Sequence, residues 1–354
     1  MNLLIVKLGA IGDIVHTLPA IAAIRSTFPN ASITWAAERR SAEILRDSPV
    51  LDNLLEIDTK SFRGGVVIEK MLIEGARQVK ELRKFDFEVA IDFQGLLKSG
   101  VIAKISGARE RWGFSRSILR EPAARVFYTH TADVPEQSHV IHRNIALAAA
   151  ALKLEPDTRH IEFPIATNIE HVREADEIIS QTSGPFVILN PAGGWVTKLW
   201  DTANYGRLAD MIWSGLGMSS IIVGGPSDAL LTGQAAAASR STKAIVATPS
   251  LKGFYELAKR ARLYVGGDTG PTHLAIAAGT PIVGIFGPTE WWRNGSPDPK
   301  DICVERLDID CRVDCHRRTC SNWICMDITP VTVFGAVQAR LAGNRSPLST
   351  ICSS

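Results

Sequence analysis

Short aliphatic, β-branched-rich runs alternate along the chain with longer stretches whose apolar residues recur at helical spacing, the signature of parallel strands joined by crossover helices. In the first half the runs are Leu3–Val6, Ile33–Ala36, Leu54–Ile57 and Val89–Ile91, with helical segments such as Met71–Leu82 between them and an Ala-rich helix over about Ser138–Leu152. A second series follows at Phe186–Leu189, Ser220–Val223, Ala244–Val246, Leu263–Val265 and Ile282–Ile285. Between the two lies EPDTRHIEFPIAT, with two prolines and no sustained periodicity, which reads as a linker. The expected organisation is α/β: a doubly wound parallel-sheet domain over 1–154, a linker over 155–168, a second such domain over 169–328, and a helix near Val331–Leu341 with a frayed polar tail over 329–354. Ligands of such sheets sit at the carboxyl ends of the strands, so two facing sheets would make a cleft.

The 354 residues, 45% hydrophobic and 21% charged, exclude a disordered or fibrous chain. Lys and Arg number 39 against 37 Asp and Glu, so no general positive field points to nucleic acid. The opening segment carries Lys7, Asp13 and His16 where a secretory signal would be uninterrupted and apolar, and no run reaches the roughly 18–20 residues needed to span a bilayer. A cytoplasmic protein touching a membrane at most peripherally is expected.

The opening NLLIVKLGAIGDIVHTLPAI is a buried strand, a glycine turn and a helix start. Asp13 stands at the head of that helix, either as a simple N-cap or as a general base at the sheet's carboxyl edge. The G-x-x-G-D spacing is not the dinucleotide fingerprint, and Glu38 alone could supply the acid of a nicotinamide site, which is weakly supported. In LYVGGDTGPTHLAIAAG, a strand runs through Gly266 and Gly267 into Asp268, Thr269 and Gly270 ahead of a helix starting near Pro271. Backbone N–H groups of Thr269 and Gly270 at that helix start suit a diphosphate. Asp268 repels phosphate, so its partners would be sugar hydroxyls or a basic residue. His273, one turn on, reads either as a ligand contact or as a structural histidine. The loop PAGGWVTKLW adds Gly193, Gly194 and the cation Lys198, with Trp195 and Trp200 as core or lid; Gly225 follows the next strand.

A basic stretch, Lys104, Arg109, Arg111, Arg116, Arg120 and Arg125, faces only Glu110 and Glu121. It is a solvated face or a binder of phosphate and carboxylate groups, to which Lys60 and Arg63 could add. Cys311, Cys315, Cys320 and Cys325 lack the C-x-x-C knuckles of zinc sites; reduced packing or a conditional disulfide suits them better than metal.

With IVKLGAIGDIVHTLPAI, DFQGLLKSG, the REPAA of Arg120–Ala124 and GGDTGPTHLAIAAGTPIVGIFGPT, the chain resembles the lipopolysaccharide heptosyltransferases of glycosyltransferase family 9 over nearly all its length. The first motif and REPAA lean towards the members that add the first inner-core heptose. The resemblance implies a GT-B fold, an N-terminal domain for the acceptor and a C-terminal domain for the donor. It implies inverting transfer from ADP-L-glycero-β-D-manno-heptose to a Kdo residue of a lipid A precursor at the cytoplasmic face of the inner membrane, with no obligatory cofactor or metal. Asp13 is then the base. Asp268 is expected at the heptose hydroxyls; Thr269, Gly270 and Lys198 at the diphosphate; Gly193, Gly194, Gly225 and His273 around the donor; and Lys60, Arg63, Arg116 and Arg120 at the anionic acceptor. The competing readings are another heptose acceptor or sugar nucleotide, a nucleotide-sugar epimerase, and a catalytically silent nucleotide-sugar-binding protein.

Overall fold

The computed structural model describes residues 1–57, 82–155, 161–311, 315 and 317–343. The chain divides into two compact units, Met1–Ala166 and Thr167–Ser354. The division falls inside the proline-containing stretch between the two strand series.

The first unit is built on six parallel strands: β1 (Asn2–Val6), β2 (Ser32–Glu38), β3 (Asn53–Ile57), β4 (Val89–Asp92), β5 (Glu110–Phe114) and β6 (His130–Ala132). They lie in the order β3-β2-β1-β4-β5-β6. β1 is apolar on both faces because helices cover both, and Leu3, Leu4, Ile5 and Val6 are fully buried. Each such side chain contributes about 1.5–3 kcal/mol relative to exposure. Leu3 pairs with Ile33 on one side and Val89 on the other, so β1 is central.

The second unit repeats the plan with β7 (Phe186–Asn190), β8 (Ser219–Val223), β9 (Ala244–Ala247), β10 (Leu263–Gly266), β11 (Ile282–Ile285) and β12 (Ile302–Val304) in the order β12-β11-β10-β7-β8-β9. Both sheets therefore wind outward in two directions from a pair of central strands, β1 with β4 and β7 with β10. At that switch point the connections diverge to opposite sides and leave a crevice beyond the strand ends. The helix Pro330–Leu341 sets Val333, Ala336 and Val337 into the second unit's core beside Val283 and Ile302, so it belongs to that unit.

Three strands were not anticipated. β5, ERWGF, is masked by the charge of the basic stretch, while β6 and β12 are three-residue edge strands that periodicity does not detect. The expected helix Met71–Leu82 lies outside the described residues except for Leu82, as does the tail beyond Gly343. Among the described residues no helix is long and apolar enough to cross a membrane.

Candidate functional site

At the first unit's switch point, β1 ends in Lys7–Gly9 and β4 in Asp92–Gly95. Asp13 lies in the third position of the helix Ile11–Val15 rather than at its N-cap, which is Ala10. Its Oδ2 accepts the Ala10 N–H at 3.0 Å, so it stabilises the helix entry as a capping carboxylate does. The carboxylate is still 41% exposed, and Oδ1 lies 3.8 Å from Lys7 Nζ. Lys7 is buried and donates to the Phe93 carbonyl at 2.8 Å. Asp13 thus couples a fixed orientation to a solvent-accessible oxygen, the geometry a general base needs.

Around it stand Gln94 and Asp92, to which the sequence assigns no role, and Glu38, the candidate acid of the weakly supported nicotinamide site. Gln94 Oε1 accepts from the N–H groups of Leu8 and Gly9 at 3.0 and 3.3 Å. Asp92 is fully buried; burial pushes its carboxyl up, against hydrogen bonds from Tyr128, Ser99 and the Gln94 and Gly95 amides. Glu38, at the end of β2, is bridged by Lys98 at 2.7 Å and Arg40 at 3.0 Å, so it anchors cations. These positions have ordinary sequence surroundings, and only the strand order brings them to one edge.

The basic stretch is not one patch. Arg111 donates to the Phe127 and Ala108 carbonyls, and Arg125 to that of Tyr128, so these two hold the local backbone. Lys104, Arg109, Arg116 and Arg120 are exposed, the last two in the segment following β5. Lys60 and Arg63 lie outside the described residues.

At the second unit's switch point three of the residues expected around the donor, Lys198, Asp268 and His273, come together. Asp268 follows β10, and Lys198 ends the 3₁₀ turn Val196–Lys198 that follows β7. Lys198 Nζ meets Asp268 Oδ2 at 2.6 Å, and both side chains are over nine-tenths buried. His273 Nε2 lies 3.2 Å from Asp268 Oδ1. Burial pushes the Asp268 carboxyl up, but the His273 hydrogen bond and the Lys198 charge outweigh it and hold the group well below the usual carboxylate range. Of the two partners expected for Asp268, the basic residue is therefore present within the chain. Lys198 is not an isolated cation either: its Nζ lies 3.9 Å from the centroid of the Trp195 ring, a cation–π contact.

Thr269 is the N-cap of the helix Gly270–Ala277, with Pro271 in its second position. Its Oγ1 lies 3.1 Å from Thr272 Oγ1, which in turn donates to the Gly267 carbonyl, so the turn is internally braced. Gly193 is tightly packed, since a Cβ there would lie 2.7 Å from Leu199 Cδ2, whereas Gly194 is open. The Gly225 N–H is capped by Asp228 Oδ2 at 2.8 Å. Asn190, the last residue of β7 and paired with Gly266, was overlooked: among the described residues its buried Nδ2 has no hydrogen-bond partner. Such a donor costs about 1–3 kcal/mol unless something meets it. Trp200 is core, donating from Nε1 to the Ile328 carbonyl at 2.8 Å.

The four clustered cysteines line one pocket with Thr197, Arg317 and Trp323, and all are free thiols. Among the described residues no group of three or more His, Cys, Asp or Glu is gathered to hold a metal ion.

Two six-strand parallel α/β units in succession define a GT-B glycosyltransferase fold. Solved structures carry the same fold: Escherichia coli heptosyltransferase WaaC with ADP aligns at TM-score 0.78 and 21% identity over 96% of this chain and 100% of that one. The family 9 glycosyltransferase of Veillonella parvula aligns at 0.81 and 21% over 96% and 97%. The chain belongs to glycosyltransferase family 9 (heptosyltransferase), whose family model matches residues 76–323. Among curated proteins it is similar to lipopolysaccharide heptosyltransferase 1 of Pseudomonas aeruginosa, at 27% identity over 323 residues, 91% of this chain and 88% of that protein.

Proposed function

We propose that this glycosyltransferase moves L-glycero-D-manno-heptose from ADP-heptose to a Kdo residue of a lipid A precursor, with inversion, in building the lipopolysaccharide inner core. The observation that carries the reading is the buried Lys198–Asp268–His273 cluster beside the N-terminus of the helix Gly270–Ala277, where a sugar diphosphate would find a cation, backbone N–H donors and a carboxylate. Asp268 retains acceptor capacity for sugar hydroxyls after binding Lys198 and His273. Lys198 and the helix dipole stabilise the departing ADP by charge. Similar proteins named lipopolysaccharide heptosyltransferase 1 and a relative's complex with ADP support the same donor and pathway.

Asp13 takes the proton from the attacking Kdo hydroxyl through its exposed carboxylate, while the Ala10 N–H holds the other oxygen. Attack on the anomeric carbon from the face opposite ADP inverts its configuration. Arg116 and Arg120 meet the anionic groups of the acceptor, which brings the protein peripherally to the cytoplasmic surface of the membrane. The domain roles follow: residues 1–154 receive the acceptor and 169–328 the donor.

The test is ADP release from ADP-heptose with and without Kdo-lipid A, with mass analysis of the acceptor. Acceptor-dependent release with one added heptose supports transfer. Donor binding without release under either condition overturns it in favour of a silent binder.

A further inference from the structure

The DFQGLLKSG motif has no chemistry of its own in the proposed reaction, yet it holds a fully buried carboxylate, Asp92, that accepts four hydrogen bonds. Asp92 Oδ2 accepts from Ser99 Oγ and Tyr128 OH, each at 2.7 Å, and Oδ1 from the Gln94 and Gly95 N–H groups at 2.8 and 3.2 Å. These bonds fold the chain after β4 into a tight turn, in which Gly95 adopts φ +69°. Ser99 also accepts the Leu96 N–H at 3.0 Å, tying the turn to the helix Leu97–Ile105.

The turn reaches across the switch point by two routes. The Gln94 side chain accepts both the Leu8 and Gly9 N–H groups, which directly precede Ala10, the N-cap of the helix that bears Asp13. The Phe93 carbonyl accepts from Lys7, whose ammonium is 3.8 Å from Asp13. The β1–β2 ladder runs on as far as Leu8, whose carbonyl accepts the Glu38 N–H at 2.9 Å, but the Leu8 and Gly9 N–H groups, ahead of the helix Ile11–Val15, turn instead to Gln94. On the N–H side this backbone is therefore held by Gln94.

We infer that Gln94, held by the buried Asp92, is a positioning residue for the reaction: it fixes the Leu8–Gly9 backbone so that the Asp13 carboxylate is presented in one orientation to the acceptor hydroxyl. The inference rests on the proposed role of Asp13 as base. Misorientation of a base by about 1 Å is enough to lower a rate about a hundredfold. The proposed donor residues belong to the other unit, so donor affinity is expected to be independent of this turn.

The full-length protein is assayed with ADP-heptose and Kdo-lipid A, comparing Gln94→Met, which keeps side-chain length without the carbonyl acceptor, and Gln94→Glu, which keeps an acceptor oxygen. Gln94→Met is expected to lower kcat ten- to a hundredfold with donor KM within twofold, and Gln94→Glu to retain most of the activity. Placed on top of Asp13→Asn, Gln94→Met is expected to cause less than a further twofold loss, since a base that is gone cannot be misoriented. Parent-like kcat in Gln94→Met, or a full ten- to hundredfold loss repeated in the Asp13→Asn background, overturns the inference while leaving the base assignment intact. Parent-like turnover in Asp13→Asn itself overturns both.

Discussion

Removing the Lys198 ammonium with Lys198→Ala leaves Asp268 as a carboxylate over nine-tenths buried, with His273 Nε2 3.2 Å from its other oxygen. Breaking a buried pair from one side costs about 3–5 kcal/mol, because the surviving charge has lost both water and partner. The hydrogen bond to His273, 3.2 Å away, remains, which places the expected loss near the lower bound, about 3 kcal/mol in urea unfolding at pH 7. Asp268→Asn in the same chain removes the stranded charge, so the double variant should be more stable than Lys198→Ala alone. The sign with pH follows from the depressed carboxyl. The pair's contribution is fully present above the ordinary Asp value of 3.8 and is lost as pH falls through the lower native value, so parent and Lys198→Ala should converge in acid. A single variant within about 1 kcal/mol of the parent would refute the reasoning, as would strictly additive losses in the double variant.

Asp13→Asn should lower turnover by about 10²–10⁴-fold, the usual range for a general base, with donor binding by calorimetry unchanged; an undiminished rate excludes it as the base. Gly9→Ala should both destabilise the fold and slow turnover, since Gly9 has φ +151° and a Cβ would lie 2.8 Å from Ser41 Oγ; a variant with the parent's melting temperature contradicts this. Arg116→Ala with Arg120→Ala should raise acceptor KM, with a weaker salt dependence, and leave donor affinity alone; equal KM values in parent and variant rule out their contact with the acceptor.

The proposed donor cluster is largely legible in the sequence. Glycine turns after strands, an aspartate that phosphate would repel and a loop lysine each leave a local trace, and the structure brings Lys198, Asp268, Thr269 and His273 together. Asp92 and Gln94 stand in the DFQGLLKSG motif, but their role left no such trace, because a glutamine accepting two backbone N–H groups looks in sequence like any loop residue. The basic stretch misled in the opposite direction: charge is visible in a sequence, but the carbonyls that occupy Arg111 and Arg125 are not.

By itself the sequence determined the α/β class, the division near the proline-containing linker and the two glycine-turn motifs, because strand burial and turn conformation are set by residues close along the chain. Strand order was decided only by tertiary structure. Placing β4 beside β1 and β10 beside β7 takes contacts across some 80 residues, and it converts Lys198 and Asp268, 70 positions apart, into a 2.6 Å ion pair. That pairing depends on which strand ends share a crevice, a property of the folded sheet that no local segment carries.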